Sequence, residues 1–137
     1  MSVIIKTKEE LVLLREAGKR LADVVARVAA HVAPGITTYD LDQYARQYIR
    51  EYGDTPAFLN YQPEGADYPF PAAACISVNE EVVHGIPSID MILEEGDVVS
   101  VDIGLCHKGV FTDHAVTVPV GKVSSRSRAL LDATHEA

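Results

Sequence analysis

Two β-rich runs most constrain what this chain can fold into. Val98 to Leu105 and Val110 to Val118 are rich in strand-forming residues, and Cys106-His107-Lys108-Gly109 lies between them. Two such runs around a short glycine-containing turn define a β-hairpin. Each run carries an aspartate, Asp102 or Asp113, where aspartate is disfavoured. If His107 and Lys108 form the turn, Cys106 faces Gly109 and the two aspartates stand directly opposite on one face, with Cβ atoms about 5 Å apart. Like charges so placed repel, and a shared proton or a divalent cation would offset the repulsion. Carboxylates at that separation suit two metal ions about 3.5–4 Å apart. The competing reading leaves one aspartate in solvent at a strand end. A three-residue turn would slip the register by one and destroy the pairing.

Upstream, Thr7 and Glu10 match a capping box. Leu11, Leu14, Gly18, Leu21, Val25, Val28 and Val32 follow at spacings of three and four, and Pro34-Gly35 ends the stripe. The pattern stops after three repeats, so a helix packed on a sheet is expected rather than a coiled coil. Thr38 can cap a second helix with the stripe Leu41, Tyr44, Ala45, Tyr48 and Ile49, closed by Gly53. Asp54 to Pro71 combines four prolines with Phe58, Tyr61, Tyr68 and Phe70, and reads as a long ordered loop. Ala72 to Val78 suits a strand. Asn79-Glu80-Glu81 and Glu94-Glu95-Gly96-Asp97 read as turns, and Ser124 or Ser125 can cap a last helix. The fold class is α/β (α+β): two long helices on an antiparallel sheet.

The 137 residues suit a single domain, 1–137. With 47% apolar and 23% charged residues, the chain is not of a disordered class. A net charge of −8 argues against a nucleic-acid partner. No run approaches the roughly 20 apolar residues of a spanning helix, so no membrane partner is expected. Met1 to Glu10 lacks the apolar stretch of a secretory signal. Cys75 and Cys106, 31 positions apart, fit no metal or redox spacing. Free thiols in a cytoplasmic protein are the expectation.

Five histidines are present. His31 near a helix C-terminus reads as structural. His107 in the hairpin turn and His135 in the last helix read as solvated, and His114 should point away from Asp113. His84 stands before Gly85-Ile86-Pro87, in a shaped loop where an imidazole could bond a substrate carbonyl or a developing anion. A satisfied core histidine is the alternative. Phe58, Tyr61 and Phe70, with Cys75 beside them, could line an apolar specificity pocket or simply pack a core.

The run Cys75-Ile76-Ser77-Val78-Asn79-Glu80-Glu81-Val82-Val83-His84-Gly85-Ile86-Pro87 closely resembles the signature of type I methionine aminopeptidases. Gly96-Asp97-Val98-Val99-Ser100-Val101-Asp102-Ile103-Gly104 resembles the family's next segment, and the intervals of 18 positions from His84 to Asp102 and 11 to Asp113 match. The resemblance covers essentially the whole chain. It implies half of a pita-bread fold, in which two pseudo-symmetric halves enclose a dinuclear metal centre. It implies removal of the initiator methionine from nascent polypeptides with a small second residue. Asp102 then matches the aspartate that chelates one metal (Co, Mn, Fe or Zn), and Asp113 the one that bridges both. His84 matches a substrate-contacting histidine; Phe70 and Tyr61 match the methionine pocket, with Cys75 beside it.

Two departures stand out. Phe111-Thr112 replaces a His-Gly pair and is closer to proline-directed peptidases of the same fold, and Gln62 to Asp67 reads as an insertion beside the pocket. The family's remaining ligands, one histidine and two glutamates, and its general base belong to a second half that is absent here. Metal binding by this chain alone is therefore expected to be weak or nil, and the chain inactive. A non-catalytic half-fold that pairs with another copy as a homodimer, through the face the second half would cover, is the alternative.

Overall fold

The computed structural model describes residues 5–136. Its elements run α1 (Lys8–Ala29), α2 (Thr38–Glu51), β1 (Thr55–Pro56), β2 (Ala74–Val78), β3 (Val98–His107), β4 (Val110–Pro119) and α3 (Ser125–Glu136). The capping box at Thr7 and Glu10 forms as the sequence implies. α1 ends three residues before the apolar stripe does. The residue ahead of Pro34 is pushed out of helical geometry. The buried line of α1 is Ala17, Leu21, Val24, Val25 and Val28; Leu11 stays 42% exposed.

The second helix is capped by Thr37, not Thr38. Asp40 lies three residues after Thr37, so its carboxylate returns the hydrogen bond to the Thr37 backbone and closes the box. Thr38 is then free to bond Ser88 O with its hydroxyl. At the other end Ser124 caps α3, its Oγ accepting from Ser127 N at 3.0 Å.

β3 is the spine of an antiparallel sheet. β4 pairs along one edge, and β1 and β2 share the other, β1 toward the hairpin turn. Val99, Val101, Ile103 and Leu105 point to the helices and form one core with Leu21, Val24, Val28, Leu41 and Ile49. The opposite face carries Ser100, Asp102, Gly104 and Cys106 by alternation. β2 begins at Ala74 rather than Ala72, and all five of its residues are buried.

The hairpin turn is Lys108-Gly109, not His107-Lys108. Both residues have positive φ, +48° and +83°, as a type I′ turn demands. Glycine can take the second such position freely, and that places the turn one residue later. Asp102 therefore faces Ala115, and Asp113 faces Gly104. The aspartates are diagonal neighbours, not a directly opposed pair. The correction preserves parity, so both still share the open face.

Candidate metal and peptide site

Asp102 and Asp113 stand at the centre of the open face, one on each hairpin strand. Asp102 is half-buried, and its Oδ1 is buried without a hydrogen-bond partner. Its carboxyl is held above the usual carboxylate range, first by burial and then by the charge of Asp113; His84 partly opposes this. Cys75 pairs with Asp102 across β2 and β3. Burial pushes its thiol up to about 12, helped by the two carboxylates, so it is an inert wall rather than a nucleophile.

His84 reaches the site through a strained backbone. Its φ is +60°, and such outliers in non-glycine residues cluster at functional positions. The next residue explains the fixation. Gly85 N donates to Ser77 Oγ, and Ile76 N donates to Gly85 O, both at 3.0 Å, so the segment is tied along β2. A Cβ on Gly85 would lie 2.2 Å from Ile76 O, so no larger residue fits there.

Phe58, Tyr61, Phe70 and Cys75 wall an open recess of about 370 Å³, with His84 and the two aspartates at its edge. Phe58 meets Phe70 edge to face at 6.5 Å. It also packs against Gly104, where a Cβ would come within 2.5 Å of its ring. Thus Asp102, Asp113, His84, Phe58, Tyr61, Phe70 and Cys75, the candidate site residues of the sequence, line one cavity. Phe58, Tyr61 and Phe70 wall it rather than filling the helix-side core.

A buried tie fixes the recess wall from behind. Asp42, 1% exposed, accepts from Ala73 N and Ala74 N at 2.7 and 3.1 Å, and from Arg46 Nε at 2.6 Å. Arg46 also donates to Pro71 O. Sequence reading missed both residues. Their i, i+4 spacing is equally that of an exposed helix pair, and the partner backbone is some thirty residues away.

His107 corrects an expectation. It is 2% exposed, not solvated. The turn begins after it, so His107 is the last inward-facing residue of β3, and its Nδ1 meets Asp54 Oδ1 at 2.6 Å. Arg20 bonds the same carboxylate. His31 is structural as expected, through stacking on Tyr44 at 4.0 Å and a 2.6 Å bond to Tyr48. His114 points away from Asp113, and His135 is exposed.

Among the described residues, no group of three or more His, Cys, Asp or Glu side chains converges to hold a metal. Two hard carboxylates, one with an orphaned buried oxygen, fit a divalent cation but supply only part of its coordination.

The chain belongs to the metallopeptidase family M24, whose model matches residues 12–137. It is similar to a methionine aminopeptidase from Aquifex aeolicus, 43% identical over all of this chain and 53% of that protein. Methionine aminopeptidase 1 from Bacillus subtilis is 41% identical over 98% of this chain and 51% of the relative. The crystal structure of methionine aminopeptidase from Thermotoga maritima superposes with a TM-score of 0.91 at 36% identity, over 98% of this chain and 52% of that one. A prolidase from Pyrococcus furiosus shares the fold at 0.79 and 21% identity. The architecture is that of half a pita-bread fold. The chain spans about half the length of the relatives it matches.

Proposed function

We propose that this chain carries half of the active site of a metal-dependent aminopeptidase that removes initiator methionine from nascent polypeptides with a small second residue. One observation carries the reading: a pair of carboxylates, one oxygen buried and unpartnered, sits at the mouth of an apolar recess. Asp102 and Asp113 would hold divalent ions, of the Co, Mn, Fe or Zn kind. When bound, such ions supply Lewis acidity and an activated water. His84 would hydrogen-bond the substrate beside the scissile bond. Phe58, Tyr61, Phe70 and Cys75 would take the methionine side chain. The reading sets the reaction in the cytoplasm, where nascent chains emerge; no helix among the described residues is long and apolar enough to cross a membrane.

Two carboxylates alone leave most of the coordination to water and bind metal weakly. The remaining ligands and the general base would come from the other half of the module. Likeness to methionine aminopeptidases at 43% and 41% identity supports methionine over a proline-directed reading. Cleavage of Met-Ala against Xaa-Pro peptides decides between them.

The test is methionine release from Met-Ala-Ser with Mn²⁺ or Co²⁺. Release is expected from a protein carrying these residues within the full length of the relatives, and none from the 137-residue chain. A second reading is pairing of two copies, since Phe111 on β4 beside the site is 64% exposed. Release by the chain alone, lost in Asp113→Asn and rising with concentration, would establish that pairing. A full-length protein that fails to cleave Met-Ala-Ser would sink the methionine reading.

A further inference from the structure

Beyond Gly85 the chain leaves the recess and docks on the N-terminal end of α2. Tyr39 N donates to Ser88 O at 3.3 Å, Thr38 N to Met91 O at 3.0 Å, and the Thr38 hydroxyl to Ser88 O at 3.1 Å. Gly35 N donates to Leu93 O, and Leu93 N to Ile36 O, each at 2.8 Å. Leu93 is thereby buried in the core. Its neighbours are not. Ile89 is 69% exposed and Ile92 54%, and Tyr39 and Met91 are exposed with them. An ordered backbone thus holds four apolar side chains in water along one short strip. Single exposed apolar residues are ordinary, but a group of them on a fixed backbone marks a contact surface. The strip is bonded to α2, which packs on the face of the sheet opposite Asp102 and Asp113.

The charge around the strip selects its occupant. Residues 86–97 hold Asp90, Glu94, Glu95 and Asp97 and no lysine or arginine. Asp97 is committed, accepting from Asn79 Nδ2 and from Glu94 N at 2.8 Å. Asp90, Glu94 and Glu95 are exposed, and no ion pair among the described residues includes them. A second copy docked here about a two-fold axis would bring these carboxylates against their own counterparts. Nucleic acid or an anionic lipid surface would set phosphates against them. A basic apolar segment meets no such repulsion.

We propose that Tyr39, Ile89, Met91 and Ile92, rimmed by Asp90, Glu94 and Glu95, form a docking strip for a basic amphipathic helix of another protein. The apolar face of that helix lies along the strip, and its flanking lysine or arginine side chains pair with the three carboxylates. The strip is separate from the metal and peptide site and does not depend on how that site is read.

The experiment titrates the 137-residue chain with a peptide of about four helical turns, leucine on one face and lysine on the other, following ¹H–¹⁵N shifts. Shifts are expected at Tyr39 and from Ser88 to Glu95. Replacing Ile89 and Ile92 together by serine should weaken binding about tenfold, through lost apolar contact. The triple change Asp90→Asn, Glu94→Gln, Glu95→Gln should weaken it by about as much. A control peptide with serine in place of leucine should bind at least about tenfold more weakly, which separates this contact from bare attraction to an acidic chain. Spectral changes confined to the strip confirm that the variants fold. The proposal is overturned if the shifts fall elsewhere, if the serine peptide binds equally well, or if either set of changes leaves the affinity within about twofold. Shifts at the strip that grow with protein concentration without peptide would make a second copy the occupant. Sedimentation with phosphatidylglycerol vesicles, lost in the serine variant, would make it a lipid surface. Either result overturns the proposal as well.

Discussion

Asp102 illustrates how a site works against its own fold. Its folded-state carboxyl is held above the ordinary 3.8, so the native state binds that proton more tightly than the unfolded chain does. The sign follows from linkage: this contribution is present at low pH and is lost as pH rises through the window above 3.8. Metal-free protein should therefore lose stability across that window, and a divalent cation should restore it at neutral pH. Asp113→Asn removes the like charge, and at neutral pH should raise the melting temperature of the metal-free chain by about 1–3 °C while abolishing the stabilisation by Mn²⁺. Thermal scans with and without Mn²⁺ check both halves; a variant still stabilised by Mn²⁺ would remove Asp113 from the metal site. His107 supports the fold through a buried contact. Its bond to Asp54 joins side chains that are 2% and 4% exposed. His107→Ala leaves that carboxylate with Arg20 as its remaining ion-pair partner, and should cost roughly 2–4 kcal/mol in urea unfolding. A loss of under about 0.5 kcal/mol would show that water replaces the imidazole freely.

At the scale of elements, the β3–β4 hairpin positions the site, and its turn sets the register. Lys108 occupies a left-handed position that asparagine tolerates better. Lys108→Asn should therefore stabilise the chain by a few tenths of a kcal/mol without moving the aspartates. An unchanged or lower denaturation midpoint would contradict the type I′ assignment. Across the sheet, β2 contributes Cys75 and serves as the rail along which Gly85 docks, which is how His84 is held at positive φ. The wall segment from Pro71 to Ala74 is tied from the helix side by Asp42 and Arg46. Helix, strand and loop thus converge on the recess from three directions.

The whole molecule separates scaffold from reactivity. The helix-facing side of β2 and β3 is packed into the core, while Asp113 and Ala115 on β4 are exposed on the opposite face. Val82 and Val83, next to His84, are exposed at 87% and 62%. The site is therefore open, and on the proposed reading its two carboxylates would give only part of a cation's coordination. This agrees with a chain that spans about half the length of its M24 relatives. The absence of methionine release expected from the isolated chain belongs to this scale, because the proposed reading draws the remaining ligands from the other half of the module.

Much of this was legible in the residues because local chemistry decides it. The helix caps, the hairpin and the strand aspartates follow from spacings of two to four residues, over which backbone geometry is nearly fixed. The exact register did not follow, since two turn placements shared the same four residues and only the geometry at Lys108 and Gly109 chose between them. Thr38 is the same residue type as its neighbour Thr37, and Asp40 makes Thr37 the better cap. Phe58, Tyr61 and Phe70 could equally have packed a core; in the fold they line the recess, Phe58 against Gly104. The burial of His107 and the tie through Asp42 were invisible for the same reason. Each joins groups more than thirty residues apart, and such contacts arise only when the packed sheet excludes water and every buried polar group must find its partner in the fold. The sequence by itself determined which elements form and which residue types can hold a cation; tertiary structure decided which side chains meet, because desolvation is a property of the assembled chain.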